Sequence, residues 1–147
     1  MKMEITVAEV GELINQMHSQ PNSLFEMIRD TVKENVGQYL SELMDTEMSH
    51  FLGRGRYQRI ENEHNHRNGS YPRSYTLKGI GSINVKIPRD RKGEFNTGVI
   101  PRSKQYEDTI REDLCTIFLG GVSTRTLSLI SEKLVGRRLS GSVIFFV

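Results

Sequence analysis

Basic side chains are concentrated in the middle of this 147-residue chain, and their type and spacing suggest a binding chemistry. Residues 54–105 carry 12 basic and 4 acidic side chains, a net charge of +8. Residues 1–53 carry 3 basic and 9 acidic ones, a net of −6, and residues 106–147 carry 5 of each. A middle third this basic predicts an anionic partner, with nucleic acid the first candidate. The alternative is a solvated basic surface that faces the acidic first third.

The candidate phosphate-binding residues fall into three groups. Arginines surround a predicted turn at Asn68-Gly69, and further cations flank a predicted hairpin, where loops can present several cations to a nucleic-acid backbone. Around Ser123 a predicted helix N-terminus offers free N–H groups and the positive end of the helix dipole. The predicted DNA-binding residues are Arg54, Arg56, Arg59, Arg67, Arg73, Lys86, Arg89, Arg91, Lys92, Ser123, Thr124, Arg125, Arg137 and Arg138.

Each group also has a structural interpretation. The arginines could be solvated or form ion pairs with acids of the N-terminal helix. Arg89 could pair with Asp90 or with the acidic helix, as part of a rigid turn. Ser123 could be a plain N-cap and Arg125 a surface residue.

The sequence predicts no catalytic residue and no metal site. His64 and His66 lie two residues apart in a polar loop without a second spaced pair, which is weak evidence for zinc. Glu61 and Glu63 form a carboxylate pair only in sequence. Cys115 is the single cysteine, which excludes an intramolecular disulfide, and its place on a helical stripe predicts a core thiol.

Two helices are predicted before the basic region. A capping box at Thr6–Glu9 predicts a helix from Val7 to about His18. Apolar residues at three- and four-residue steps predict one long helix from Leu24 to about Leu52. Its apolar stripe comprises Phe25, Ile28, Val32, Val36, Tyr39, Leu40, Leu43 and Met44. This stripe must pack on the rest of the chain, on a missing domain or on another copy. Gly37 lies inside this helix and should weaken it by about 1 kcal/mol.

A hairpin and two further helices are predicted after it. Strand-forming residues from Tyr71 to Leu77 are followed by a turn at Gly79–Gly81 and by apolar alternation at Ile83, Val85 and Ile87, with Pro88 ending the second strand. The helical period returns near Lys104 and stops at Gly120-Gly121. The next predicted helix is Thr124–Val135, with an inner face of Leu127, Ile130 and Leu134 and a new helix beginning at Ser140.

The sequence therefore predicts an α+β fold: a helical N-terminal arm, a small basic antiparallel β-sheet, and a C-terminal helical pair resembling a truncated helix-turn-helix. No run approaches the roughly 18 apolar residues that span a bilayer, and the acidic start is unlike a signal peptide, so we expect a cytoplasmic protein. The predicted segments are residues 1–53 for the arm, 54–105 for the basic hairpin or sheet segment, 106–140 for the helix-turn-helix-like segment and 141–147 for a divergent apolar tail.

Most of the chain resembles the N-terminal part of bacterial mutator-type insertion-sequence transposases. The segments that carry the resemblance are Phe25–Asp45, His66–Phe95 and Ile100–Ser140. Its signature pieces are Asn68-Gly69, Thr76, Gly79-Ile80-Gly81, Pro88-Arg89-Asp90-Arg91-Lys92-Gly93-Glu94-Phe95 and Gly121-Val122-Ser123-Thr124-Arg125.

The resemblance implies binding of double-stranded DNA at the terminal inverted repeats of an insertion element, by a protein associated with the bacterial nucleoid. In such transposases a downstream ribonuclease-H-like domain carries two aspartates and a glutamate that bind divalent metal such as Mg²⁺ and drive strand cleavage and joining. None of these acids aligns with this chain. The resemblance therefore implies no catalytic residue, no metal and no cofactor here, and no enzymatic activity of this fragment alone.

Two further expectations accompany the resemblance. After Ser140 the family continues into a recognition helix, whereas this chain reads Gly-Ser-Val-Ile-Phe-Phe-Val, which predicts a truncated remnant. The alternative function is an interaction module. In that case the long helix would form homo-oligomers, or mixed oligomers with an intact transposase that modulate it.

Overall fold

The computed structural model describes residues 6–58 and 65–140. In these ranges the helices and strands follow in the order α1 (Val7–Ser19), α2 (Pro21–Leu52), β1 (Arg67–Leu77), β2 (Gly81–Asp90), α3 (Asp108–Leu119) and α4 (Thr124–Val135). The predicted α+β fold is confirmed. The chain divides between Val32 and Lys33 into two compact units.

The first unit holds α1 and the beginning of α2. Thr6 and Glu9 form the predicted capping box: the Thr6 backbone N–H donates to Glu9 Oε2 at 2.7 Å, and the Glu9 N–H donates to Thr6 Oγ1 at 3.4 Å. Helix α2 begins at Pro21, three residues before the predicted Leu24. Proline is favoured at a first helical position because it has no N–H to leave unpaired there.

In the second unit, α2 packs against the β1–β2 hairpin. Ile83, Val85 and Ile87 lie in the core, which confirms the predicted alternation of β2. Met44 is buried among them, with Val36 and Leu40 packed beside it, so this part of the predicted stripe is covered by the sheet. Tyr39 and Leu43, also assigned to the stripe, are exposed.

Helix α2 runs along the backbone of β2 and covers its free edge. Ser41 Oγ accepts the Lys86 N–H at 2.9 Å and donates to the Gly37 carbonyl at 2.6 Å. A Cβ on Gly37 would lie 2.4 Å from the Asn84 carbonyl oxygen. The sequence indicated only that Gly37 weakens the helix. The structure adds the reason for a glycine here, which is the close approach of two backbones.

The hairpin is longer than predicted at its open end. Asn68-Gly69, predicted as a turn, lies within β1, where the pairing register shifts between Arg67 and Ser70. Gly69 has φ 70°, so this irregularity takes a conformation that glycine adopts freely. The predicted turn was wrong because a glycine that follows asparagine marks a bulge as readily as a chain reversal.

Pro88 was predicted to end β2, but the strand continues to Asp90. The Lys86 N–H points away from β1, toward Ser41. Alternate residues of an antiparallel strand point the same way, so the nitrogen of Pro88 also points away from β1, and no ladder hydrogen bond is lost. Pro72 is tolerated in β1 for the same reason, since it lies opposite Lys86.

Segment 105–107 covers the free edge of β1. The Thr76 N–H donates to the Gln105 carbonyl at 3.1 Å, and the Glu107 N–H donates to the Thr76 carbonyl at 3.0 Å. Each edge of the hairpin is thus partly covered, and the chain passes from segment 105–107 directly into α3. Covered edge positions are less available for pairing with another chain.

Helices α3 and α4 enclose a second core. Its buried members are Ile110, Leu114, Leu127, Val135 and Leu139. The predicted bounds of α4 are confirmed at both ends. Ser123 Oγ accepts the Thr126 N–H at 3.3 Å, and Gly136 ends the helix in the left-handed conformation with its N–H on the Glu132 carbonyl.

The predicted inner face of α4 needs one correction. Leu134 is 70% exposed, whereas Ser131 is fully buried. The Ser131 hydroxyl accepts the Leu139 N–H at 3.0 Å, so the chain after α4 folds back over that side of the helix. A serine was buried in place of a leucine because its hydroxyl satisfies this returning backbone.

Cys115, predicted as a buried core thiol, is partly buried and packs against the second core.

Candidate nucleic-acid interface

The open end of the hairpin brings three basic segments together. His66 is central to it: Arg54 Nη2 lies 3.2 Å from its Nδ1, and the Arg91 N–H donates to its carbonyl at 2.8 Å. The Lys92 N–H donates to Asn65 Oδ1 at 3.3 Å. Residues 54–58, 65–67 and 90–92 therefore meet in space, and we call them the basic end.

The first of these segments is positioned by the end of α2. The Gly53 N–H donates to the His50 carbonyl and the Arg54 N–H to the Ser49 carbonyl, both at 3.1 Å. With Gly53 at φ 67°, this is a Schellman motif, which ends the helix and turns the chain. The Arg54 guanidinium then donates to the Gln58 carbonyl at 3.2 Å and to the Asn65 carbonyl at 2.9 Å, so Arg54 joins the first two segments.

Arg56 and Arg67 both form ion pairs with Asp45 of α2. Arg67 Nη1 lies 2.7 Å from Asp45 Oδ1, and Arg56 Nε lies 3.2 Å from Asp45 Oδ2. Arg67 also donates to Ser49 Oγ. The structural interpretation of the basic segment expected ion pairs with acids of the N-terminal helix. Arg56 and Arg67 form such ion pairs.

A cleft of about 540 Å³ opens between the basic end and α2. Its size falls within the roughly 300–1,000 Å³ typical of ligand sites. Its lining includes three arginines, one histidine, one tyrosine and one carboxylate. These residues are Arg54, Arg56, Arg67, His66, Tyr57 and Asp45.

Asp90 holds the third segment in place. Its carboxylate accepts Asn65 Nδ2 at 2.7 Å and the N–H groups of Glu94 at 2.9 Å and Phe95 at 3.2 Å. Burial raises the pKa of Asp90, but these hydrogen bonds outweigh it and hold the pKa below its ordinary value of 3.8. The carboxylate thus stays charged and shapes the bend that displays Arg91 and Lys92.

The remaining cations of the hairpin differ in their surroundings. Arg73 donates to the backbone carbonyls of Pro101, Arg102 and Lys104, so it organises that loop. The Arg89 guanidinium carbon lies 5.6 Å from the ring centroid of Tyr71, a cation–π contact in place of the anticipated pair with Asp90.

Lys86, Arg91 and Lys92 are exposed, and their side chains form no hydrogen bond or ion pair with any residue that the structure describes. They are the hairpin cations most accessible to a ligand.

Within the described ranges, the predicted DNA-binding residues in and beside α4 form no hydrogen bond or ion pair with the basic end. Ser123 caps the helix and its hydroxyl lies 2.9 Å from Thr126 Oγ1, while Thr124 and Arg125 are exposed. Arg137 donates to Gln105 Oε1, and Arg138 Nε lies 2.6 Å from Glu132 Oε2. Arg59, Glu61, Glu63, His64 and the helix predicted after Ser140 lie outside the described residues.

Comparison with known proteins identifies the family. The family model described as "Transposase, Mutator family" matches residues 7–147. The chain belongs to the mutator family of transposases. The resemblance carried by the hairpin and α4 motifs is thereby confirmed.

Mutator-family relatives come from several bacteria. The chain is 32% identical over 118 residues to the transposase for insertion sequence element IS256 in transposon Tn4001 of Staphylococcus aureus, a match that covers 80% of this chain and 30% of that protein. It is 32% identical over 134 residues to the IS905 transposase of Lactococcus lactis, covering 90% and 33%. The IS1081 transposase of Mycobacterium tuberculosis is 28% identical over 135 residues, covering 91% and 32%. The chain thus spans about a third of the length of these relatives.

The divalent metal implied for full-length mutator transposases finds no ligand set in the described ranges. Within residues 6–58 and 65–140, no three His, Cys, Asp or Glu side chains are close enough to hold an ion. The Asp45 carboxylate is paired with arginines, and the Asp90 carboxylate accepts hydrogen bonds from backbone N–H groups. In the same ranges, no helix has the length and apolarity needed to cross a membrane.

Sequence reasoning missed two residues of the cleft. Tyr57 is 99% exposed at φ 65°, a left-handed conformation that costs a non-glycine residue about 1–3 kcal/mol. An aromatic residue between Arg56 and Arg59 is a sequence signal for nucleic-acid binding that could have identified it. Asp45 had no such signal, because its arginine partners are remote in sequence.

Proposed function

We propose that the basic end binds the phosphate backbone of double-stranded DNA at the terminal inverted repeats of an insertion element, as one step of transposition in the bacterial nucleoid. The observation that carries this proposal is the side-by-side display of Arg91 and Lys92, whose exposed side chains have no acid partner in the described chain. Family membership supports it, since the relatives are insertion-sequence transposases.

The proposed contacts are of the kind that positions a protein on DNA without reading sequence. Lys86, Arg91 and Lys92 would contact phosphates directly. Arg56 and Arg67 would do so by exchanging Asp45 for a phosphate oxygen, and Arg125 at the start of α4 would add one more contact. Strand cleavage and joining are left to the Mg²⁺-binding carboxylates that the family carries downstream, so these residues bind DNA without cutting it.

Salt dependence tests the proposal. With about six phosphate contacts, the logarithm of the association constant for a labelled element-end duplex should fall against the logarithm of salt concentration with a slope near −5. Arg91→Gln with Lys92→Gln should flatten the slope by about 2, whereas Arg111→Gln with Lys133→Gln removes the same charge on α3 and α4 and should change it little. A flat salt dependence, or equal effects of the two double variants, would overturn the proposal.

A second candidate function rests on the apolar surface of the first unit. Phe25 is 64% exposed, and Ile28, Val32, Val10 and Ile14 are exposed as well. We propose that a second copy of this chain, or the same segment of an intact transposase, covers these residues and forms a homo-oligomer or mixed oligomer.

Sedimentation velocity tests the oligomer. Phe25→Asp with Ile28→Asp should convert an oligomer to a monomer, because two charges would enter the apolar contact. Asn15→Asp with Asn22→Asp adds the same charge at exposed polar positions and should leave the oligomer intact. A wild-type chain that is monomeric at all concentrations would exclude the homo-oligomer.

A further inference from the structure

Tyr57 combines two unfavourable features in one residue at the mouth of the cleft. Its ring is 99% exposed to water, and its backbone takes the left-handed conformation at φ 65°. No other non-glycine residue of the described chain has a positive φ. Exposed aromatic rings and strained backbone are both costly, and such strain clusters at ligand-binding sites.

Two hydrogen bonds to Gln58 hold the loop that carries Tyr57. The Gly55 N–H donates to Gln58 Oε1 at 2.9 Å, and Arg54 Nη1 donates to the Gln58 carbonyl at 3.2 Å. These contacts hold the backbone around Tyr57 while leaving its ring without cover. The exposure of the ring is therefore a consequence of a hydrogen-bonded loop conformation.

The cleft beside the ring already contains an anion. The Asp45 carboxylate lies between Arg67 Nη1 at 2.7 Å and Arg56 Nε at 3.2 Å. Carboxylate and phosphate oxygens are bound by guanidinium groups in the same way. Arg56 and Arg67 can thus bind a phosphate in exchange for Asp45, in a cleft of about 540 Å³ that Tyr57 also lines.

A planar apolar group joined to an anion is the ligand that fits this arrangement, and in DNA that unit is a nucleotide. We propose that the cleft holds one unpaired nucleotide of a DNA strand, with its base stacked on Tyr57 and its phosphate on Arg56 and Arg67. A base inside an intact duplex is stacked on its neighbours and cannot reach the ring, so the site selects distorted DNA or a strand end. This inference rests on the proposed DNA-binding function and adds a site to it.

Fluorescence anisotropy with three labelled duplexes of one sequence tests the site: an intact duplex, one with a single-nucleotide bulge, and one with an abasic bulge. The bulged duplex should bind about 10-fold more tightly than the abasic one, the effect of stacking one base on an aromatic ring. The abasic bulge bends and loosens the helix in the same way, so the ratio isolates the base.

Variants locate the effect. Tyr57→Ala should abolish the preference for the base, and Tyr57→Phe should keep it because the ring remains. Tyr39→Ala removes another exposed tyrosine, 62% accessible on α2, and should also keep it.

The outcomes separate the two proposals. Equal binding of the bulged and abasic duplexes, or a preference that survives Tyr57→Ala, would overturn the nucleotide site while salt-dependent binding of the intact duplex still stands. Absence of salt-dependent binding to every duplex would overturn the DNA-binding function and the nucleotide site together.

Discussion

A Cβ atom on Gly37 of α2 would lie 2.4 Å from the carbonyl oxygen of Asn84 in β2, so helix and strand are in direct backbone contact. One turn further along α2, Ser41 binds the Lys86 N–H of the same strand. This contact sets the distance between α2 and the hairpin, and with it the position of Asp45 relative to the arginines of the basic end.

Gly37→Ala should therefore destabilise the protein, although alanine is the better helix former by about 1 kcal/mol. We expect the free energy of unfolding to fall by about 1–3 kcal/mol, because the methyl group forces the helix away from β2. Urea unfolding followed by tyrosine fluorescence measures this, since all five tyrosines lie between residues 39 and 106.

Gly11→Ala is the control for this prediction. Gly11 lies in α1, and a Cβ added there would meet no atom within 4 Å, so this change should leave the tyrosine-detected transition unchanged. A Gly37→Ala variant more stable than the wild type would show that α2 does not approach β2 this closely.

Arg73 should act through its hydrogen bonds and not through its charge. Arg73→Lys keeps the charge but cannot reach the carbonyls of Pro101, Arg102 and Lys104 together. We expect a loss of about 1–2 kcal/mol in stability, since hydrogen bonds from a charged donor contribute about this much or more. Hydrogen exchange should also be faster in residues 101–105.

Arg102→Lys provides the matched change in the same loop, because Arg102 is exposed and its side chain has no hydrogen bond or ion pair within the described residues. It should behave as the wild type. If Arg73→Lys left stability unchanged but weakened DNA binding, the structural role would be wrong and a direct phosphate contact would replace it.

Asp90 should make the fold sensitive to acid. Its pKa in the folded state lies below the ordinary value of 3.8, because hydrogen bonds from Asn65, Glu94 and Phe95 outweigh the effect of burial. The stabilisation is therefore complete above that value and is lost as the pH falls through the lower folded pKa.

Asp90→Asn tests this directly. It should cost about 2–3 kcal/mol at pH 7, because buried N–H donors lose their charged acceptor, and the variant should lose less stability on acidification than the wild type. Asp113→Asn removes a carboxylate that pairs with Lys78 at 2.7 Å on the surface, and should cost less than about 1 kcal/mol. Equal costs of the two variants would contradict the role assigned to Asp90.

Asp45 should compete with DNA for Arg56 and Arg67. Asp45→Asn should tighten binding to an element-end duplex at low salt, because both guanidinium groups become available to phosphate. Glu42→Gln removes the same charge from an exposed position of α2 and serves as the control for net charge. If the two variants bind DNA with equal affinity, Asp45 exerts only a general charge effect and the proposed exchange is wrong.

Much of the local structure was predictable from the sequence. The capping box at Thr6, the alternation of Ile83, Val85 and Ile87, and the bounds of α4 all rest on signals within a few residues of the feature they specify. The prediction failed at Asn68-Gly69 and at Pro88 because glycine and proline each fit two kinds of local structure. A glycine suits a turn or a bulge, and a proline suits a strand end or a strand position whose nitrogen points away from the ladder.

The candidate site was predictable only as a set of cations. Charge segregation identified the basic segment and the family motifs narrowed its proposed function, so the sequence by itself determined the α+β fold class and predicted an anion-binding region within it. Tertiary structure decided what each cation does: Arg73 binds a loop, Arg67 pairs with Asp45, and Arg91 stays exposed. The physical reason is that ion pairs and backbone approaches, such as Arg67 with Asp45 or Gly37 with Asn84, join residues far apart in sequence. They exist only after α2 has packed on the hairpin.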